Sequence, residues 1–130
     1  MNAPVGIVLV SHSAELASGL RLLVEQIGAQ DVPIATAGGT DDGRVGTSYD
    51  LVLAAVRDAD HGGGVVVLPD LGSSVLTARA VLADHPRPDV VIVDAPFVEG
   101  AVAAAVTAAS GADLKTVADA AQEARHVHKL

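Results

Sequence analysis

The sequence predicts a doubly wound α/β domain, with a parallel four-stranded sheet in the order 2-1-3-4 and helices on both faces. Short apolar runs rich in β-branched residues alternate four times with segments of helical spacing, as in parallel sheets covered on both faces. The chain has 130 residues, 50% of them hydrophobic, with no internal repeat and no long linker. We therefore expect a single domain over 1–130.

The first strand and helix are marked at both ends. Residues 5–10 form a continuous apolar run, typical of a buried strand, and Ser13 and Gly28 are expected to cap the helix that follows. The predicted core face of this helix is an apolar stripe at helical spacing, namely Leu16, Leu20, Leu23 and Ile27. Residues 32–36 predict the second strand, and the glycines and acids of 38–47 predict a surface loop.

The remaining elements follow the same alternation, with strands predicted at 65–68 and 90–93 and a helix at 97–109. We expect Thr47 or Ser48 to open the second helix and Ser73 or Ser74 to open the third. The second helix carries Leu51, Val52, Ala55 and Val56 on one face, the third carries Val75, Leu76, Arg79 and Leu82, and the last carries Leu114, Val117, Ala121 and Ala124. We interpret Asp94 and Glu99 as caps of the fourth helix rather than catalytic acids.

Composition narrows the classes of partner. Eight basic against sixteen acidic residues give a net charge of -8, which disfavours binding to nucleic acid or to an anionic membrane surface. The apolar runs are far shorter than the roughly 20 residues that a bilayer span requires, and residues 1–4 lack the basic cluster of a signal peptide, so we expect a cytoplasmic protein. The absence of cysteine excludes disulfides and thiolate chemistry, and no metal site is predicted.

A histidine and an aspartate stand where such folds bind ligands, beyond the carboxyl ends of the strands near the point where the winding reverses. His12 follows the first strand and Asp70 the third, and the predicted strand order makes these strands neighbours. A carboxylate that accepts a hydrogen bond from one imidazole nitrogen leaves the other nitrogen as a nucleophile. The candidate phosphate-binding residues around this pair are Gly38, Gly39, Thr47, Ser48 and Ser73. The pattern favours phosphoryl transfer through histidine.

Each candidate residue also has a structural alternative. A lone histidine at a strand end commonly makes a local hydrogen bond, Asp70 is compatible with a turn cap, and Gly38 and Gly39 are compatible with a tight turn. Arg44 lies in a loop expected to be solvated, with a phosphate clamp as its functional alternative. The other four histidines are expected to be solvated.

Five segments carry a family resemblance: GIVLVSHS at 6–13, GG at 38–39, GRVGTS at 43–48, LPDLGS at 68–73 and DAPFVEGA at 94–101. Together they resemble the phosphoryl-donor subunits of phosphoenolpyruvate-dependent dihydroxyacetone kinases, in the mannose-type enzyme IIA group of the sugar phosphotransferase system. The similarity runs over nearly the whole chain, and DAPFVEGA is its most specific part.

The resemblance implies a relay. His12 would accept a phosphoryl group from the carrier HPr and pass it to ADP on a nucleotide-binding subunit, which phosphorylates dihydroxyacetone held by a third subunit. It implies that Asp70 orients His12, that Gly38 and Gly39 match the family's glycine loop, and that ADP or ATP and Mg are bound by the partner subunit rather than by this chain. It also implies a homodimer and an acidic, partly apolar rim around His12 that complements the basic face of HPr.

Two other functions remain open at this stage. The same fold would serve a regulatory binding module that holds a nucleotide or a protein without covalent chemistry at His12. A phosphohydrolase with a transient phosphohistidine is the third hypothesis, although the sequence lacks the second histidine and the arginine cluster expected for it.

Overall fold

The computed structural model describes residues 3–130 and confirms the predicted fold class and strand order. The strands β1 (Gly6–Ser11), β2 (Ile34–Gly38), β3 (Val65–Pro69) and β4 (Val90–Ile92) pair in parallel in the order β2-β1-β3-β4. The helices are α1 (Ala14–Ile27), α2 (Tyr49–Ala59), α3 (Gly72–Asp84), α4 (Phe97–Ala109) and α5 (Leu114–Glu123), and a 3₁₀ turn at Ala124–His126 follows. In this part of the chain no helix is long and apolar enough to cross a membrane.

The helices cover the sheet in two layers. α1, α4 and α5 pack on one face, and α2 and α3 pack on the other. Side chains of β1 alternate between the layers: Ile7 and Leu9 join the first core, and Val8 and Val10 join the second. All six residues of β1 are buried because this strand is central and covered on both faces.

The apolar stripe predicted for α1 is only partly buried, and α3 buries other residues than its large apolar ones. In α1 the residues Leu16, Leu23 and Ile27 are 46%, 44% and 50% exposed, and the buried residues are Ala17, Leu20 and Val24. In α3 the residues Leu76 and Arg79 are exposed, Val75 and Leu82 are half-buried, and the buried residues are Ser74, Ala78 and Val81. The buried faces combine small residues with Leu20, Val24 and Val81, so hydrophobicity alone does not locate them. The α2 prediction holds better, with Val52, Ala55 and Val56 buried.

The element ends are partly as predicted. Ser13 and Ser48 cap α1 and α2 by accepting hydrogen bonds from Leu16 N–H and Leu51 N–H. β2 starts at Ile34 rather than at 32, because Pro33 has no N–H to pair.

Three predicted caps are wrong. α3 begins after Leu71, with no side-chain cap, so neither Ser73 nor Ser74 caps it. α4 begins after Pro96, also without a side-chain cap, so Asp94 is not its cap. The serine side chains are engaged elsewhere, at the site described next.

Candidate active site

The winding of the sheet reverses between β1 and β3. β1 continues into α1 on one face and β3 continues into α3 on the other, so the two chain ends separate and leave an opening between them. His12 and Asp70 are the first residues beyond these strands, and the Asp70 N–H donates to the Val10 carbonyl at 2.9 Å. The predicted pairing of the two side chains is therefore confirmed.

The imidazole of His12 is oriented by the carboxylate of Asp70. His12 Nδ1 lies 3.0 Å from Asp70 Oδ1, and the two side chains are 20% and 8% exposed. A carboxylate accepts hydrogen bonds and cannot donate them, so the ring proton is on Nδ1 and the lone pair is on Nε2. The arrangement makes Nε2 the nucleophilic atom of the ring.

Four further donors hold the Asp70 carboxylate. The His12 N–H and the Ser11 hydroxyl donate to Oδ2 at 3.0 and 2.9 Å, and the Leu71 N–H and the Ser74 hydroxyl donate to Oδ1 at 2.7 and 2.6 Å. Burial alone would raise the pKa of Asp70, but the hydrogen bonds from Ser74, His12 and Ser11 outweigh it and lower the pKa from 3.8 to about 2. Asp70 is therefore ionised at neutral pH and fixed in position.

The roles of Ser11 and Ser74 at Asp70 were not among the predictions from the sequence. Both side chains are fully buried, and both hydroxyls bond the same carboxylate. A usable signal was present in each case: Ser11 is the polar end of an otherwise apolar strand, and Ser74 follows Asp70 at the i+4 spacing of a first helical turn. These serines position Asp70 and, through it, the imidazole.

Ser73 lies on the open side of the ring. Its hydroxyl is 2.5 Å from His12 Nε2, and because that nitrogen carries the lone pair, the hydroxyl donates. Ser73 is exposed, so its hydroxyl can rotate away when another group occupies Nε2. The structure thus brings Ser73 to Nε2, and its predicted role in phosphate binding stays a prediction.

Gly38 and Gly39 allow the β2 loop to pack against the start of α1. A Cβ on Gly38 would lie 2.6 Å from Ala14 Cα, and Gly39 has a φ of +73°, in the left-handed region. The Gly39 N–H already donates to the Ser11 carbonyl at 3.0 Å. The close approach accounts for both glycines, and their predicted role in phosphate binding stays a prediction.

Thr47 and Ser48 have partners away from the imidazole. The Thr47 hydroxyl lies 2.7 Å from that of Thr77, and the Ser48 hydroxyl contacts the Asp41 carboxylate while it caps α2. Arg44 pairs with Asp42 at 3.0 Å. Within residues 3–130 no hydrogen bond joins these side chains to His12, so their roles toward phosphate also stay predictions.

The residues of the site provide a candidate nucleophile and a carboxylate that orients it. In the described part of the chain, no group of three or more histidine or acidic side chains is placed to hold a metal ion. A ring with a fixed tautomer, a carboxylate that stabilises positive charge on it and an open face at Nε2 are the requirements for nucleophilic catalysis by histidine.

The sequence matches the family EIIA-man, described as PTS system fructose IIA component, over residues 6–118. The chain belongs to this family. The resemblance to phosphoryl-donor subunits is confirmed as well: the chain is 38% identical, over 81% of its length and 82% of the relative's, to the phosphoryl donor subunit DhaM of PEP-dependent dihydroxyacetone kinase 1 from Listeria innocua.

A second DhaM relative is much longer than this chain, and a solved structure matches it over nearly its full length. The DhaM subunit of Escherichia coli K12 is 42% identical over 87% of this chain, which covers only 25% of that larger protein. Among solved structures, the protein of unknown function EF1359 superposes with a TM-score of 0.81 at 34% identity and covers 92% of this chain and 94% of its own.

Proposed function

We propose that this chain is a phosphoryl-donor subunit of a phosphoenolpyruvate-dependent dihydroxyacetone kinase, acting as one phosphocarrier domain over residues 1–130. His12 accepts a phosphoryl group from phospho-HPr and passes it to ADP on the nucleotide-binding subunit, and a further subunit binds dihydroxyacetone. The single observation that carries the proposal is the hydrogen bond between His12 Nδ1 and Asp70 Oδ1, which leaves Nε2 unprotonated toward the opening.

Both transfers balance without moving a proton. In the first, the nitrogen–phosphorus bond of the donor breaks as the Nε2–phosphorus bond forms, and the ring gains a positive charge that the Asp70 carboxylate offsets. In the second, the Nε2–phosphorus bond breaks as a terminal oxygen of ADP forms the new phosphorus–oxygen bond, and the ring is neutral again. Ser73 turns its hydroxyl from Nε2 to an oxygen of the bound phosphoryl group.

The surface around the site supports docking of two successive partners. Leu71, beside Asp70, is 62% exposed, and Leu16 in the first turn of α1 is 46% exposed. The net charge of -8 favours encounter with a basic surface such as that of HPr. Nucleotide and Mg are held by the partner subunit, the protein acts in the cytoplasm as a homodimer, and no nucleic acid or membrane takes part.

Labelling of the intact protein tests the proposal. Incubation with phosphoenolpyruvate, enzyme I and HPr is expected to add one acid-labile phosphoryl group, measured by mass spectrometry. His12→Ala is expected to remove the label, and His61→Ala, which changes an exposed turn histidine, is expected to retain it. A His12→Ala chain that is labelled as well as wild type would contradict the proposal. Tight nucleotide binding without any labelling would instead favour a regulatory binding module.

A further inference from the structure

A cleft of about 480 Å³ adjoins Asp70 between α3 and the end of the sheet. One wall is a face of α3 that carries Gly72, Val75 and Arg79, and the floor is formed by the carboxyl ends of β3 and β4. The nucleophilic nitrogen of His12 lies beside the first turn of the same helix, because it contacts Ser73. The cleft is therefore next to the reaction centre, and the relay as proposed assigns it no role.

Arg79 is the cation of this cleft, and its charge is not neutralised within residues 3–130. Six of the eight basic side chains of the protein form ion pairs with acidic groups. The other two are Arg57 on α2 and Arg79 on α3, and of these Arg79 alone lines the cleft. In a chain with twice as many acidic as basic residues, an unpaired arginine beside the active site requires a reason.

The two acidic side chains of the cleft do not supply a partner for Arg79. Asp70 is held by its own donors, with His12 and Ser74 on Oδ1. Asp94 faces Arg125, with 3.6 Å between Asp94 Oδ2 and Arg125 Nη2. The cleft therefore offers a guanidinium group with five donors to an incoming anion.

Helix geometry directs the side chain of Arg79 toward the N-terminal end of α3, where the cleft meets Asp70. Arg79 lies two turns after Gly72, or about 10 Å along the helix axis, and helical side chains lean toward the N-terminus of their helix. An extended arginine side chain covers much of that distance. A ligand that spans from Nε2 into the cleft would thus meet both groups.

The diphosphate of the nucleotide that accepts the phosphoryl group has the charge and the oxygen atoms that a guanidinium group binds. A nucleoside diphosphate brings two further phosphates toward a phosphorylated ring, in a protein that is itself strongly acidic, so negative charge accumulates as the phosphoryl group leaves. Arginine pairs with phosphate through two parallel hydrogen bonds and offsets such charge. Phospho-HPr, in contrast, brings its own basic face to the same site, which already offsets the charge of its phosphoryl group during loading.

We propose that Arg79 binds the diphosphate of the acceptor nucleotide while His12 donates its phosphoryl group. This inference rests on the proposed function and gives Arg79 a role in the second transfer alone. The residue contacts the substrate that receives the phosphoryl group and takes no part in loading of the ring.

The two transfers are measured separately, with Arg79→Ala compared with Arg57→Ala, which removes the other unpaired arginine. Loading of His12 from phospho-HPr is expected to proceed at the wild-type rate in both variants. Single-turnover transfer from the loaded chain to the ADP-carrying subunit is expected to slow about tenfold or more in Arg79→Ala only, with partial recovery in Arg79→Lys. Because Arg79 is exposed, the melting temperature is expected to stay close to that of wild type.

The outcomes separate this inference from the function on which it rests. Absence of label at His12 in wild type overturns the proposed function. Normal loading with equal transfer to ADP in Arg79→Ala and Arg57→Ala overturns the role of Arg79 and leaves the relay intact. Where transfer slows in Arg79→Ala alone, the affinity of this variant for the partner subunit is measured with and without ADP. A loss of affinity confined to the ADP-loaded partner supports a diphosphate contact. An equal loss with and without ADP overturns that contact in favour of one to a carboxylate of the partner.

Discussion

The ends of β1 and β3 and the loop after β2 carry similar residue types but organise them differently. At the ends of β1 and β3, the polar groups of Ser11, His12 and Ser74 converge on the carboxylate of Asp70. In the loop, the Thr47 hydroxyl bonds to that of Thr77. The Ser48 hydroxyl contacts the Asp41 carboxylate and caps α2. Convergence on a single charged group, rather than the presence of glycine and hydroxyl residues, distinguishes the candidate active site from the loop next to it.

The largest effect is expected when the negative charge of the Asp70 carboxylate is removed. Asp70→Asn keeps the shape of the side chain, but either orientation of the amide places its NH₂ against a main-chain donor, at Leu71 N–H or at His12 N–H. We expect loading of His12 from phospho-HPr to slow on the order of 10²- to 10³-fold, because the Nδ1 proton loses its charged acceptor and the charged ring its counterion.

A folded protein is required for this result to be interpreted. Circular dichroism of Asp70→Asn is expected to match wild type at moderate temperature. Near-normal loading by a folded Asp70→Asn chain would show that Asp70 is a structural cap and not the orienting base.

The acid stability of the protein follows from the same carboxylate. The pKa of Asp70 is lowered to about 2 in the folded state, below its ordinary value of 3.8, so the folded protein binds that proton less readily than the unfolded chain. The stabilisation is present in full above about pH 4 and is lost as the pH falls toward 2. Its magnitude is about 2 kcal/mol.

Urea unfolding between pH 2 and 6 measures this effect. The free energy of unfolding of wild type is expected to fall faster below pH 4 than that of Asp70→Asn. Parallel curves for the two proteins would mean that Asp70 gains nothing from its hydrogen bonds.

The smallest effect is expected in the loop after β2. Ser48→Ala removes the cap of α2, which is expected to cost about 1 kcal/mol of stability while leaving the rate of His12 loading unchanged. Asp113→Ala is the matched control, because Asp113 caps α5 by accepting from Thr116 N–H at 2.9 Å. A loading rate that drops in Ser48→Ala and not in Asp113→Ala would assign Ser48 to phosphate binding after all.

The sequence was sufficient to predict what depends on strand order and on single strong local signals. The alternation of apolar strands with helices, together with the position of His12 and Asp70 after neighbouring strands, determines their meeting at the switch point. Ser13 and Gly28 are equally direct signals, because a cap or a left-handed turn needs no distant partner.

What could not be predicted depends on how close two surfaces approach. The buried face of α1 is narrow and consists of Ala17, Leu20 and Val24, so Leu16 and Leu23 lie outside it, although their hydrophobicity suggested the reverse. The hydroxyls of Ser11 and Ser74 were equally ambiguous, because a serine bonds whatever acceptor the fold brings near it. Both depend on long-range geometry that residue types do not encode.

The two main-chain amides that donate to Asp70 connect the chemistry to the backbone itself. His12 N–H follows β1, whereas Leu71 N–H follows β3 together with Asp70 itself, so a small relative slip of these strands misaligns the carboxylate against His12 before any core contact is lost. Mild packing defects far from the opening should therefore appear first as slower turnover and only later as unfolding, which would make the reaction rate a sensitive report on how well the sheet is assembled.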